Sequence, residues 1–229
     1  PIVQKGHPYL IEYSIEVMEE KIELMTSLIK ERCGVNPKSH RSGRWAMNQN
    51  YFDLLIKYGY NVDCSVTPHI NWASSVGRTE GACGSDYSKM PEKEYMIESS
   101  DKTGKIMEVP MTIRHKNVWI TPEHKTIRGY AKSAYHMVKG ADIWMRPMGD
   151  NLNELKKLIA TEQKSEYIMF MIHSSELMPG GSPTFKSIES IDKLYSDLNV
   201  IFTLIAKSFE GCTLKEFYKE KSNIINTTI

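Results

Sequence analysis

The chain has 229 residues, of which 41% are apolar and 25% charged, an ordinary globular composition with enough length for one sizeable core. Lysine and arginine exceed aspartate and glutamate by 29 to 28, a net charge of +1, so bulk electrostatics give no reason to expect nucleic acid or an anionic membrane as partner. The four cysteines, Cys33, Cys64, Cys83 and Cys212, form no CxxC pair, which argues against a zinc knuckle and suits a reducing, cytoplasmic setting.

No apolar run approaches the roughly 20 residues that cross a bilayer, so no membrane span is expected, and no nucleic-acid-reading motif is present. Residues 1–12 show no periodicity and read as an extended lead-in. Ser14 then caps a predicted helix in which Val17, Met18, Ile22, Met25, Leu28 and Ile29 recur at helical spacing, until Gly34 stops it. A short strand at Ser39–Arg41 follows. A second helix, about Asn48–Tyr58, should bury Phe52, Leu55 and Ile56 and end at Gly59, before a strand at Tyr60–Val66. Residues 67–104 are rich in Gly, Ser, Pro and charge and read as an irregular segment, of which residues 73–104 are expected to shape specificity.

Regular structure resumes with a strand at Ile106–Ile113. Thr121-Pro122-Glu123 is a helix start, and that helix ends near Gly140. A strand at Asp142–Arg146, a helix at Asn151–Ala160, a strand at Tyr167–His173 and a long helix at about Lys186–Ser208 come next. A short strand and a short helix, Thr213–Tyr218, finish the chain. The alternation predicts an α/β fold with a parallel sheet, open or closed into a barrel, in one domain over residues 1–229.

In such folds the chemistry gathers where strands end. The predicted strand ends carry His40, Arg41, Arg44 and Trp45; then Asp63, Ser65, Thr67, His69 and Trp72; then Trp144 and Arg146; then His173, Ser174, Ser175 and Glu176. A cleft lined with tryptophan and arginine suits a sugar, whose ring stacks on the aromatic face and whose hydroxyls take hydrogen bonds. His173 closes the apolar run YIMFMI and can act as general acid, although a satisfied strand-end histidine is the plain alternative. Arg41 and Arg44 also suit surface ion pairs, and Trp45 and Trp72 also suit a core. Asp63 on a strand is costly unless paired, with an arginine from the neighbouring strand end as the expected partner. His7, His69, His115, His124 and His136 read as surface residues. The chain has neither a phosphate-binding GxxxxGK[ST] loop nor a GxSxG nucleophile elbow.

Two blocks carry a family resemblance: HRSGRWAMNQNYFDLLIKYGYNVDCSVTP at residues 40–68 and MIHSSELMPGGSPTF at residues 171–185. They resemble segments of the NodB-homology polysaccharide deacetylases, carbohydrate esterase family four, in the branch found in bacterial surface-polysaccharide gene clusters. The resemblance covers most of residues 14–220. It implies a distorted (β/α) barrel and a metal-dependent hydrolase that removes N-acetyl groups from a sugar or polysaccharide. It further implies that Arg41 orients a catalytic aspartate, that Asp63 and Trp72 belong to the fourth motif, and that His173 protonates the leaving amine. Arg44, Trp45, Trp72 and Arg146 would contact the carbohydrate.

The family's aspartate pair and metal-binding histidine pair lie upstream of the helix that starts near Ser14, and here only PIVQKGHPYLIEY precedes it. The resemblance therefore implies that the first βα units are missing. A divalent metal of the zinc, cobalt or nickel class would be held by the intact parent and none by this chain. A carbohydrate-binding relic without turnover is the alternative, and a truncated product with no stable fold a third reading.

Overall fold

The computed structural model describes residues 6–117 and 126–227, with the backbone alone for 224–227. The helix start at Thr121-Pro122-Glu123, and His124, lie outside the described residues. The chain divides into two compact units, residues 1–110 with 212–229, and residues 111–211.

The first unit begins with a 310 turn at Leu10–Glu12 and helix α1, Ile15–Cys33. The lead-in is docked rather than extended: Tyr9 is buried, and Glu12 Oε2 accepts the backbone N–H groups of Arg78 and Thr79. Ser14 sits at the N-cap of α1, and Gly34 closes it with φ 68°, a left-handed conformation that glycine takes at little cost. Met18 and Ile22 carry its burial, while Met25 is exposed. The short strand β1, Ser39–His40, leads to α2, Gln49–Lys57, whose cap Asn48 accepts a hydrogen bond from Tyr51 N–H. Phe52 and Leu55 face the core as expected.

Strand β2 is Val62–Asp63, shorter than the predicted Tyr60–Val66, although every residue from Val62 to Pro68 is buried. Residues 67–104 are more ordered than their composition suggests. They contain strand β3, Tyr95–Glu98, and two isolated bridges, Asn71 with Asp86 and Val76 with Cys83. Gly84 is required where those segments meet, since a Cβ there would lie 2.6 Å from Trp72 Cβ. Strand β4, Lys105–Glu108, completes a sheet of order β1-β2-β4-β3. The first three of these run parallel, as predicted, and β3 pairs antiparallel at the edge. Helix α6, Leu214–Thr227, belongs to this unit and buries Phe217.

The predicted strand Ile106–Ile113 is two strands in different sheets. Pro110, which has no N–H to give a ladder, follows β4, and β5 starts only at Ile113 and runs to Lys116. In the second unit β5 pairs with β6, Ala141–Trp144, antiparallel rather than parallel. His115 and Asp142 face each other in that register and form an ion pair at 2.8 Å. Helices α4, Leu152–Glu162, and α5, Ile188–Ile205, follow the predicted helices, whereas α3, Ile127–Lys139, starts after an extended Thr126 N-cap rather than at Thr121-Pro122-Glu123 and ends as expected before Gly140. Leu155, Leu158 and Ile159 of α4 pack with Ile143, Met145 and Ile201. The segment predicted as strand Tyr167–His173 is extended but joins no ladder. Its hydrogen bonds include Met171 N–H to Met145 O and Met169 N–H to Thr112 Oγ1. Among the described residues the strands form one four-stranded and one two-stranded sheet, and neither closes into a barrel.

Leu55 is 1% exposed among the α1, α2 and β4 side chains. Leu55→Ala should cost about 2–5 kcal/mol, read as a lower urea midpoint with an unchanged slope.

Candidate active site

The first cluster follows from register. His40 ends β1, Asp63 ends β2 and Glu108 ends β4, and the ladder sets His40 beside Asp63 and Asp63 beside Glu108. Three titratable side chains thus share one row across the parallel strands. Neither acid has any exposed surface. Asp63 Oδ1 lies 2.6 Å from His40 Nδ1 and accepts Ser65 Oγ–H at 3.0 Å, and Asp63 Oδ2 accepts Ser65 N–H at 3.0 Å. The other His40 nitrogen, Nε2, lies 2.8 Å from Tyr51 Oη. Glu108 Oε1 accepts Val66 N–H at 2.9 Å, and its Oε2 is buried with no hydrogen-bond partner of its own. Burial first, and the Asp63 carboxylate second, push the Glu108 carboxyl well above the usual range and favour the protonated acid. The partner of Asp63 is therefore a histidine and a serine rather than the expected arginine. A salt bridge would bring a second buried charge, whereas a histidine and backbone N–H groups satisfy the lone pairs without one.

Arg41, Arg44, Trp45 and Trp72 surround this row in sequence but use it differently. Arg41 is exposed, with its guanidinium 5.5 Å from the Trp45 ring centroid, a cation–π distance. Its positive charge opposes the upward shifts of Cys64 and Glu108. The Cys64 thiol is still pushed up to about 11 by burial. Arg44 and Trp45 are both left-handed, at φ 56° and 62°. Tyr87 Oη donates to Trp45 O, and Ser42 N–H donates to Ser65 Oγ, so the turn is tied to the Asp63 network. Trp72 is half-buried and donates from Nε1 to Thr67 Oγ1 at 2.9 Å. An open cleft of about 510 Å³ in the same unit is lined by Met47, Phe52, Val66, Tyr87, Tyr95 and Ile97 among others. It adjoins the row through Val66 and Tyr95, the latter in register with Glu108.

The second cluster lies in the other unit. Glu176, 3% exposed, accepts Arg146 Nη2 at 2.6 Å on Oε1 and His173 N–H at 2.9 Å on Oε2. Burial alone would raise its carboxyl, but the His173 N–H, the Arg146 hydrogen bond and the arginine's charge outweigh that and hold it below the usual range. His173 is exposed, and its Nδ1 lies 3.4 Å from both Arg146 Nη2 and Glu176 Oε2. Nδ1 thus points into the cluster, and Nε2 is the nitrogen left to meet a ligand.

Of the sequence-predicted site residues, the structure brings Arg41 to Trp45, and Arg146 to His173. Arg44 and Trp72 sit in the first unit without joining either cluster. Glu108 carried a usable signal that sequence reasoning passed over, an acid inside the buried run IMEVP. His40, Ser65 and Glu176 were recognised as strand-end residues but not assigned roles. Among the described residues no group of three or more His, Cys, Asp or Glu side chains is arranged to hold a metal ion.

No protein-family model and no curated protein matches the sequence. Among solved structures, the chain is similar to one described as "putative polysaccharide deacetylase from Mycobacterium smegmatis", at 12% identity and a TM-score of 0.36. The likeness covers 90% of this chain and 62% of that one, and at this level it settles neither fold nor function.

The folded protein keeps a proton on Glu108 that the unfolded chain releases near the ordinary glutamate pKa of about 4.3. Stability due to this group should therefore fall as pH rises above that value. Glu108→Gln removes the loss and should gain stability relative to the parent between about pH 4 and pH 8. Urea midpoints of the two proteins that differ by a constant amount across that range would refute the protonated assignment.

Proposed function

We propose that this chain carries part of the active site of a metal-dependent hydrolase that removes N-acetyl groups from a sugar or polysaccharide. The observation that supports this best is His173. It is an exposed imidazole at the end of an apolar segment, with Nδ1 set against a buried Glu176 that Arg146 holds in place. That arrangement leaves Nε2 outward, where a general acid must stand to meet a substrate nitrogen. In amide cleavage the C–N bond breaks as the leaving nitrogen takes a proton, and His173 Nε2 is the group proposed to supply it. The sequence blocks at residues 40–68 and 171–185 support the same reading through their resemblance to polysaccharide deacetylases.

In the first unit, taken by itself, Arg41 and Trp45 have the features of a carbohydrate contact. The ring face accepts a sugar's C–H face and the guanidinium donates to hydroxyl or carboxyl oxygens. A divalent metal of the zinc, cobalt or nickel class would polarise the acetyl carbonyl and lower the pKa of water in this chemistry. The four scattered cysteines, with no CxxC pair, suit a reducing cytoplasmic location.

The test is acetate release from N-acetylglucosamine oligomers by the complete gene product, with His173→Ala as the variant. Turnover should drop about 10²–10⁴-fold, with oligomer affinity nearly unchanged. Undiminished turnover would remove His173 from the mechanism. Saturable oligomer binding that neither chelator nor added metal alters, without acetate release, would favour the binding-module reading. A second prediction concerns the clamp. Arg146→Ala, by freeing Glu176, should raise the pH at which the rate is half-maximal, whereas a purely structural arginine would lower the rate without moving the profile.

A further inference from the structure

Helix α3 is amphipathic the wrong way round for a helix that packs on its own unit. At about 100° per residue, Ile127, Tyr130, Ala131, Ala134, Met137 and Val138 share one face. All six are exposed, Ile127 by 92% and Val138 by 74%. Tyr135, 59% exposed, borders the same face. The side turned inward is small and polar: Ser133 is the buried residue of the helix, with Gly129 and His136 half-buried beside it. Thr126 caps the helix by accepting Gly129 N–H, so the register of these faces is fixed from the first turn.

Charge narrows what could cover such a face. Arg128, Lys132 and Lys139 are exposed and run along one edge of the apolar stripe, and no acidic residue occurs between Thr126 and Gly140. Stacking a second copy antiparallel along this stripe would set these cations against their own counterparts. A broad apolar face, low overall hydrophobicity and a lysine- and arginine-rich border are instead the features of a helix that lies in the plane of a bilayer interface. We propose that α3 is a peripheral membrane-binding element that seats its Ile127–Val138 face among the acyl chains of an anionic lipid surface, with Arg128, Lys132 and Lys139 at the headgroups. The near-zero net charge of the whole chain conceals this local asymmetry. No helix among the described residues is long and apolar enough to cross a membrane, which is compatible with a surface-lying element. The inference does not rest on the deacetylase reading.

The test is flotation of the 229-residue chain with vesicles of phosphatidylcholine alone or with about one-third phosphatidylglycerol. Partitioning should be at least tenfold stronger on the anionic vesicles and should fall steeply as salt is raised. Ile127→Asp and Val138→Asp should each weaken it about tenfold with unchanged circular dichroism and melting, since both positions are exposed in the folded chain. The double variant Arg128→Gln/Lys132→Gln should remove the preference for anionic over neutral vesicles while leaving the apolar face intact. Absence of vesicle binding overturns the proposal, as does equal binding to both compositions. A concentration-dependent rise in mass by light scattering that Ile127→Asp abolishes, with no vesicle binding, would make the face a contact between copies instead.

Discussion

Two carboxyl groups without exposed surface stand side by side at the ends of β2 and β4, and much of the first unit is arranged around keeping them there. An ionised carboxylate away from water costs several kcal/mol unless its lone pairs are met. The chain meets the Asp63 oxygens from both sides, with His40 on one and Ser65 on the other. For Glu108 it supplies the Val66 N–H and leaves the second oxygen to a proton. These demands account for the backbone that follows β2. Val62 to Pro68 are all buried, yet most of them lie outside any ladder, because their N–H groups and hydroxyls serve the acids and the next turn instead. Ser65 is the hinge of this arrangement: it gives two hydrogen bonds to Asp63 and takes the one from Ser42 N–H.

The second unit solves the same problem with different chemistry. Two of its buried carboxylates, Glu162 and Glu176, are each paired with an arginine, Arg114 and Arg146, and a third, Asp197, with Lys193. A guanidinium presents several donors in a fixed plane and stays charged at every relevant pH. Glu162 is further satisfied by Ser165 Oγ–H. Glu176 has spare capacity, which it spends on the backbone and ring of His173. The Arg146 hydrogen bond and charge hold the Glu176 carboxyl below the usual range, which favours a negative charge beside the His173 imidazole. In the first unit Asp63 is met by His40 and Ser65 instead, and burial beside Asp63 favours the protonated acid on Glu108.

The helices were legible because their signals are local. The Ser14 and Gly34 boundaries of α1, the Asn48 cap of α2 and the apolar spacing of α4 and α5 each reside within a few residues. The parallel order of β1, β2 and β4 also followed from alternation. The pairing of β3 and of β5 with β6 did not, since antiparallel pairing depends on which distant edge is free and leaves no periodic mark in either strand. Tyr167–His173 has the composition of a buried strand, but Met171 is its one buried residue and the segment joins no ladder. At the site, residue types were legible and partners were not. Asp63 was recognisable as a buried acid needing a partner. Which residue meets it is decided by a one-to-one register between His40, Asp63 and Glu108, spread over 69 positions of the sequence.

Backbone strain offers an independent argument about which surface of the first unit is functional. Arg44 and Trp45 both adopt left-handed φ values, at roughly 1–2 kcal/mol per residue for side chains that carry a Cβ. Glycine would take that conformation without penalty, and Gly43 stands next to them without using it. The strain is held by Tyr87 on the Trp45 carbonyl and by Ser42 on the Ala46 carbonyl and the Asp63 network. What it achieves is a placement: the indole turns beneath the Arg41 guanidinium at the end of β1. A turn that needed only to reverse the chain would be cheaper with glycine at both positions. Keeping an arginine and a tryptophan at these two positions, Arg44 and Trp45, where glycine would cost less, ties the strain to the placement of the Trp45 indole under Arg41.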